Sequence, residues 1–445
     1  MNITLAIVFL GALFFLAHLF TQIFSRTKIP DVLWLILIGL GIGPLGHIIT
    51  PDDFGVAGPL FTTITLIIIL FQGGIGLNIN SLLKALRRSL MLSILSFIVT
   101  MAVVGLVTWQ LTDLGLLRGF MLGAIVGGTT SAIVIPLIRQ LTMKDQSRAM
   151  LLLESALTDV LCIVVTLAIV KMYKIGGLNY GLMVGRTVAS FLVAALLGTA
   201  GALIWSILLK RVRSLQNAIL MTPAFVFIIF GATEELGFSG YIAALAFGIT
   251  LGNIKPFWLL LKKARPFRLP FKKKYVHFEL TAIDEYALNE TENIFFSEIV
   301  FLLKTFFFVY LGISIQLTNS WWLLLGLILT AIIFVIRIPV VRLSAPRSIP
   351  KEDASLLAVL VPRGLAAAVL ALIPIREGVA GGDLIQSVTF AVVLFSIVLM
   401  SILILLLQRT PFSKLYALMF SGFAVPVQPL TATGKNPSDS GELGP

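Results

Sequence analysis

The sequence predicts an all-α polytopic membrane protein with about thirteen transmembrane helices, and three observations carry that prediction. Of 445 residues, 58% are hydrophobic and only 12% are charged, whereas a soluble domain is about 25% charged. A soluble chain this apolar has too few polar groups to cover its own surface, and a bilayer removes that difficulty. Apolar runs of roughly 20 residues, enough to cross a hydrocarbon core, recur from one end of the chain to the other. Basic residues gather in alternate loops between those runs, the pattern of a positive-inside topology.

Taken in order, the runs place helices over 3–22, 31–50, 57–78, 89–111, 117–138, 148–171, 184–208, 217–236, 239–254, 293–316, 320–340, 354–375 and 385–408. The first, Met1 to Phe20, lacks a basic start and a convincing cleavage site, so it reads as a span rather than a removed signal peptide. Arg26 and Lys28; Lys84, Arg87 and Arg88; Arg139, Lys144 and Arg148; and Lys210, Arg211 and Arg213 occupy alternate loops. Arg342, Arg347 and Lys351, then Arg409 and Lys414, continue the series. The opposite set holds Asp52, Asp53, Asp113, Glu234, Glu235 and Asp383, while Lys171, Lys174 and Arg186 depart from the pattern. The bias puts the N-terminus outside and the C-terminus in the cytoplasm, which an odd number of spans also requires.

The long loop over 255–292 holds Lys262, Lys263, Arg265, Arg268 and Lys272 to Lys274. It reads as a solvated cytoplasmic loop, with anionic lipid or a regulator as the alternative partner. From Val425 the chain is polar and rich in Gly, Pro, Ser and Thr, a composition that predicts disorder. The division is therefore a transmembrane domain over 1–410 and a cytoplasmic tail over 411–445.

Two runs contain helix-breaking sequence. One reads Gly123-Ala124-Ile125-Val126-Gly127-Gly128-Thr129-Thr130-Ser131, with Pro136 after it; the other reads Val361-Pro362-Arg363-Gly364, with Pro374 after it. Unwound backbone is tolerated at membrane depth only where protein buries it or water reaches it. Broken helices in corresponding positions point to a transporter's binding site. The two broken runs are the fifth and the twelfth, so they point in opposite directions. That order predicts two inverted six-helix repeats joined by the seventh helix, with the broken helices crossing.

Glu154, Asp159, Lys304 and Arg363 lie well inside apolar runs, while Glu298 and Arg337 sit nearer helix ends, within reach of the interface. Each deep charge costs about 2.5–3.5 kcal/mol at a helix centre, so each calls for a partner or a task. Two acids against two bases suggest mutual pairing. Asp159 is roughly 18 Å from either end of its helix, with Ser155 on the same face and Thr158 just before it. Glu154, five positions back, points about 140° away. This separation argues for one exchange site and one structural pair rather than a carboxylate dyad.

Hard cations take oxygen ligands, and Thr129, Thr130, Ser155, Thr158 and Asp159 supply them beside the exposed carbonyls of a broken helix. Burial favours a protonated carboxyl and a nearby cation favours the carboxylate. Proton and cation thus compete for Asp159, which is already a minimal exchange mechanism. Glu154 and Arg363 read as a structural bridge. Lys304 has three readings: a charge partner for Asp159 when no cation is bound, a proton-releasing group in its own right, or a structural residue. Gln72 reads as a packing or hydrogen-bonding residue.

These residues resemble the monovalent cation/proton antiporters of the sodium/proton exchanger superfamily, closest to the electroneutral NhaP-like branch. Pro30-Asp31-Val32-Leu33-Trp34-Leu35 through Gly41-Ile42-Gly43-Pro44 resembles the family's early helix, and Phe71-Gln72-Gly73-Gly74-Ile75-Gly76-Leu77-Asn78 its Phe-Glu-Gly-Gly segment. Glu154-Ser155-Ala156-Leu157-Thr158-Asp159 resembles the Glu-Ser-x-x-Asn-Asp core of the electroneutral branch, and Pro362-Arg363-Gly364 matches its Pro-Arg-Gly. The resemblance covers about residues 1–410. It implies a thirteen-helix fold like that of NhaA and NapA, a homodimer, and a core domain that moves like an elevator against a dimerisation domain. The core takes helices of about 89–171 and part of 293–408, and the dimerisation domain takes the rest. It also implies that Asp159 carries the ion and that Glu154 pairs with Arg363. The chain departs from the family at Thr158, where Asn is common, and at Thr129-Thr130-Ser131, where a Thr-Asp-Pro run is common. Gln72 stands where the family has Glu, and a lysine in the tenth helix, like Lys304, is a feature of the electrogenic branch.

The expected activity is exchange of Na⁺, or K⁺ or Li⁺, for H⁺ in a prokaryotic cell membrane, with Asp159, Ser155 and Thr129 as metal ligands and no cofactor. The alternatives are a sodium-coupled organic anion symporter on the same fold, a channel, and a non-transporting scaffold. A carboxylate amid hydroxyls repels an anion, no repeated filter sequence suggests a channel, and a scaffold needs no buried charges. Nucleic acid is not expected despite the net charge of +12, because the basic residues sit in interhelical loops. Cys162 is alone and reads as a core residue. His18, His47 and His277 are scattered, and Gly41, Gly43 and Gly46 match a dinucleotide spacing without the strand such a site needs. No enzyme is expected.

Overall fold

The structure, a computed structural model, describes residues 3–55, 57–77, 87–138, 140–175, 180–213, 218–254, 288–317, 319–411, 416 and 418–424. The basic residues expected over 255–287, the tail from 425, Lys84, Arg139, Lys414 and His277 lie outside the described residues.

Helices make up the described chain. They are α1 (Ile3–Thr27), α2 (Asp31–Ile42), α3 (Ala57–Gly76), α4 (Arg87–Leu111), α5 (Gly115–Ile125), α6 (Ser131–Ile138), α7 (Asp145–Ile175) and α8 (Tyr180–Val212). Then come α9 (Met221–Glu235), α10 (Gly240–Gly252), α11 (Glu290–Ser314), α12 (Ser320–Ser344), α13 (Lys351–Val359), α14 (Leu365–Leu370), α15 (Ile373–Arg376) and α16 (Gly382–Arg409). Helices α4, α7, α8, α11, α12 and α16 each contain a stretch long and apolar enough to cross a membrane by length and composition. Shorter apolar helices over 11–24, 31–42, 60–76, 115–125, 240–252 and 365–376 lie between them.

The second helix is shorter than the expected 31–50 and stops at Ile42. Pro44 disfavours a helical residue before it and offers no N–H to the turn. The twelfth apolar run is α13, α14 and α15 in succession, with a non-helical stretch over 360–364. The fifth is α5 and α6, interrupted over 126–130.

Helix α10 packs between α3 and α8, and α11 packs along α2 and α3. A separate set joins α4 to α5, α7 and α12, and α12 to α16. Phe71, Trp205, Phe247 and Phe296 form a core within the first set. A larger apolar core runs through the second set and reaches α2 and α11. Phe15, Val188, Leu192, Leu196 and Val335 face outward, as suits helices whose solvent is lipid.

Small residues allow the closest helix approaches, because packing rather than the hydrophobic effect joins helices in a bilayer. Where α2 crosses α11, a Cβ on Gly312 would lie 2.3 Å from the Ile36 carbonyl oxygen, and one on Gly39 2.2 Å from that of Val309. Gly312→Ala is therefore expected to push the two helices apart and cost about 1–3 kcal/mol. A thermal unfolding midpoint in detergent equal to that of the parent protein contradicts this seam.

Beyond α16 the chain turns back. Tyr416, Phe420 and Phe423 are buried, the Arg347 guanidinium lies 4.6 Å from the centre of the Phe423 ring, and Ala424 N donates to the carbonyls of Arg347 and Ile349. This return stretch seats itself against the start of α13.

Candidate ion-binding site at two crossed helix breaks

A broken helix exposes backbone groups that must find partners, and here the two breaks supply each other. Thr130 N donates to the Pro362 carbonyl at 3.0 Å, which joins the α5–α6 break to the α13–α14 break. Gly364 lies directly against the Thr130 side chain, where a Cβ would fall 2.6 Å from Thr130 Oγ1. Thr129 N donates to Thr158 Oγ1 at 3.1 Å, and Arg363 N to Ser396 Oγ at 2.9 Å. The breaks are thus held by each other and by hydroxyls on α7 and α16.

Asp159 stands beside this crossing. Its Oδ2 accepts from Ser131 Oγ at 2.8 Å and from Ser131 N at 3.4 Å. Asp159 as a residue is only half-buried. Glu154, on the same helix, is fully buried and faces a different neighbour. The expected cation ligands are not equally placed. Thr158 Oγ1 donates to the Glu154 carbonyl at 2.8 Å and lies 3.3 Å from Thr129 Oγ1. Ser155 Oγ donates to the Leu152 carbonyl at 3.2 Å within its own helix. Thr130 packs against Gly364. Thr158 and Thr129 therefore brace the break, and Ser131 touches the carboxylate.

The pairing expected between Glu154 and Arg363 is not what forms. Arg337 takes both Glu154 oxygens, Nη1 to Oε1 at 2.5 Å and Nη2 to Oε2 at 2.6 Å. It also donates to Ser96 Oγ at 2.7 Å and to the Leu357 carbonyl at 3.1 Å. The reason lies in helix length. Helix α12 runs to Ser344 rather than 340, so Arg337 is two turns inside it, and its side chain is buried against Glu154. Its guanidinium also meets one of the last carbonyls of α13, which no further helical turn satisfies and where the dipole favours a cation. Arg363 is buried, with Nε and Nη1 lacking a partner among the described residues.

Lys304 does not serve Asp159 in this conformation. Its Nζ donates to Asp31 Oδ2 at 2.9 Å, so its charge is taken up at the start of α2, and it lies 5.6 Å from the centre of the Phe301 ring. Gln72 Nε2 donates to Ser297 Oγ at 3.2 Å. Three residues of this network were not singled out by sequence: Arg337, Asp31 and Ser131. The expected end at 340 puts Arg337 near a helix terminus, Asp31 stands at the first position of the expected 31–50 helix, and Ser131 is one of three hydroxyls in a row with nothing to rank it.

Two helix breaks bonded to each other beside a half-buried carboxylate are the build of an ion-coupled membrane carrier. The family described as "Sodium/hydrogen exchanger, transmembrane" matches residues 11–408, and the chain belongs to it. It is 30% identical over 409 residues to the K⁺/H⁺ antiporter NhaP of Alkalimonas amylolytica, a match covering 89% of this chain and 65% of that one. It is 27% identical over 274 residues to Na⁺/H⁺ antiporter 1 of Methanocaldococcus jannaschii, covering 57% of this chain and 61% of the relative. The chain thus spans less than two thirds of the length of these curated relatives. Its fold is that of the solved sodium proton antiporter MjNhaP1 from Methanocaldococcus jannaschii, with a TM-score of 0.66 at 22% identity, covering 94% of this chain and 99% of that one. It is an integral, multi-pass membrane protein.

Proposed function

We propose that the chain exchanges a monovalent cation, Na⁺ or alternatively K⁺ or Li⁺, for protons by alternating access, with Asp159 as the group for which the two compete. The observation that carries this reading is one half-buried carboxylate with hydroxyls and a broken backbone around it. A carboxylate binds a proton and a hard cation alike, and a single negative charge is neutralised by either one. Its transport is therefore one-for-one and electroneutral, with Thr129, Thr130, Ser155 and Thr158 shaping the site. No chemical conversion of a substrate is involved.

Membership of the exchanger family and its relatives, some named K⁺/H⁺ and some Na⁺/H⁺ antiporters, support the substrate class. The core domain is drawn from helices of 89–171 and part of 293–408, and it moves against a dimerisation domain in a homodimer. Arg337 supports a stiff core, because it joins α4, α7, α12 and α13 in one knot. Loop charge supports an N-terminus outside and a C-terminus in the cytoplasm. Purified protein in liposomes with an internal pH dye tests the reading. A cation-dependent pH change in response to Na⁺, K⁺ or Li⁺, with no membrane current, is the expected result. Folded protein that moves protons with none of the three overturns it.

A further inference from the structure

Helix α6 opens at Ser131, and the opening of a helix leaves backbone N–H groups without helical partners. Val134 N bonds to the Thr130 carbonyl at 3.1 Å, which makes Thr130 the residue before the first turn and Ser131 the first within it. Asp159 reaches in from α7 and accepts both polar hydrogens of Ser131 on one oxygen, Oδ2. The carboxylate thus does for α6 what a capping side chain normally does from within the chain. Its other oxygen, Oδ1, accepts no hydrogen bond among the described residues.

We propose that Ser131 is a positioning and selectivity residue of the cation site, whose hydroxyl reverses its role as the site changes occupant. This rests on the reading that Asp159 carries the ion. A hydroxyl has one hydrogen and two lone pairs. In the structure Ser131 Oγ donates to Asp159 Oδ2. When a dehydrated cation sits at Asp159, Ser131 Oγ turns a lone pair to the metal. Thr158 Oγ1 donates to the Glu154 carbonyl and accepts from Thr129 N, Ser155 Oγ spends its hydrogen on the Leu152 carbonyl, and both residues are fully buried. Ser131 and Asp159 are both only half-buried. A neutral oxygen at this place leaves the site with one formal charge from Asp159, enough for a monovalent ion and too little for a divalent one.

The test compares wild type, Ser131→Ala, Ser131→Cys, Ser131→Thr and Asp159→Asn in proteoliposomes, reading the half-saturating Na⁺ and K⁺ concentrations separately from the maximal rate. Ser131→Ala is expected to raise the half-saturating concentration on the order of tenfold, the scale of a hydrogen bond to a charged group, with the maximal rate changed far less. Ser131→Cys keeps the backbone donor and nearly the same volume but offers soft sulfur to a hard ion, so it shows the same rise. If the alanine variant does not fold, the cysteine variant carries the comparison. Ser131→Thr restores low half-saturation because it keeps the hydroxyl. Unchanged cation half-saturation in Ser131→Ala or Ser131→Cys, with Asp159→Asn inactive, overturns the role of Ser131 and leaves Asp159 as carrier. An active Asp159→Asn overturns the carrier reading itself.

Discussion

Asp159→Asn abolishes cation-dependent proton movement in reconstituted vesicles and leaves the fold intact. An amide has the size and planarity of a carboxylate but neither its charge nor an exchangeable acidic proton. Unit charges about 4 Å apart attract by about 4 kcal/mol at the effective dielectric of a site near a surface, so losing one weakens cation binding on the order of a thousandfold. Stability is spared because the amide oxygen still accepts from Ser131 Oγ, which meets the carboxylate at 2.8 Å in the parent. Paired measurements decide the matter: exchange by internal pH dye and the melting midpoint in detergent. Residual exchange above a few per cent of wild type places the carrier group elsewhere. A collapsed melting midpoint makes Asp159 a structural residue.

Arg337→Met is expected to damage the protein more than any other single change in this network. Glu154 is fully buried and Arg337 is 2% exposed, and removing one partner of such a pair strands the other charge at a cost of about 3–5 kcal/mol. The loss also strips a donor from Ser96 and from the Leu357 carbonyl, so α4, α7 and α13 lose their shared anchor. Replacing both partners, Glu154→Leu with Arg337→Met, recovers most of the stability because no lone charge remains. Arg363→Gln is the control, since Arg363 Nε and Nη1 have no partner among the described residues; its cost is expected to be about 1 kcal/mol or less. Thermal midpoints of these variants settle which arginine belongs to Glu154. A larger loss from Arg363→Gln than from Arg337→Met sinks the assignment.

The breaks at 126–130 and 360–364 were legible because glycine and proline act locally, and their signature survives in one dimension. Asp159 was legible because an isolated carboxylate in an apolar run has a cost that needs a reason. The partner of Glu154 was not. Arg337 and Arg363 are both basic residues of later apolar runs, and choosing between them needs the placement of α12 and of the 360–364 break relative to Glu154, which no periodicity encodes. Four residues of error at the end of α12, 340 against 344, were enough to move Arg337 from the interior to the interface. Asp31 was hidden for a related reason. An acid at a helix start explains itself by the dipole, so nothing in the sequence asks for Lys304, which lies 273 positions away and donates to it. Ser131 differs from Thr129 and Thr130 only in which way it points, and direction is a property of the folded break.

The bond from Thr130 N to the Pro362 carbonyl has a bearing on descent. Both atoms belong to the main chain, so a substitution at either position keeps them, with a single exception: a proline at position 130 would carry no hydrogen to donate. Substitutions at 129–131 other than proline at 130 therefore leave this one link in place, while Gly364 against the Thr130 side chain limits the bulk that position 130 can carry.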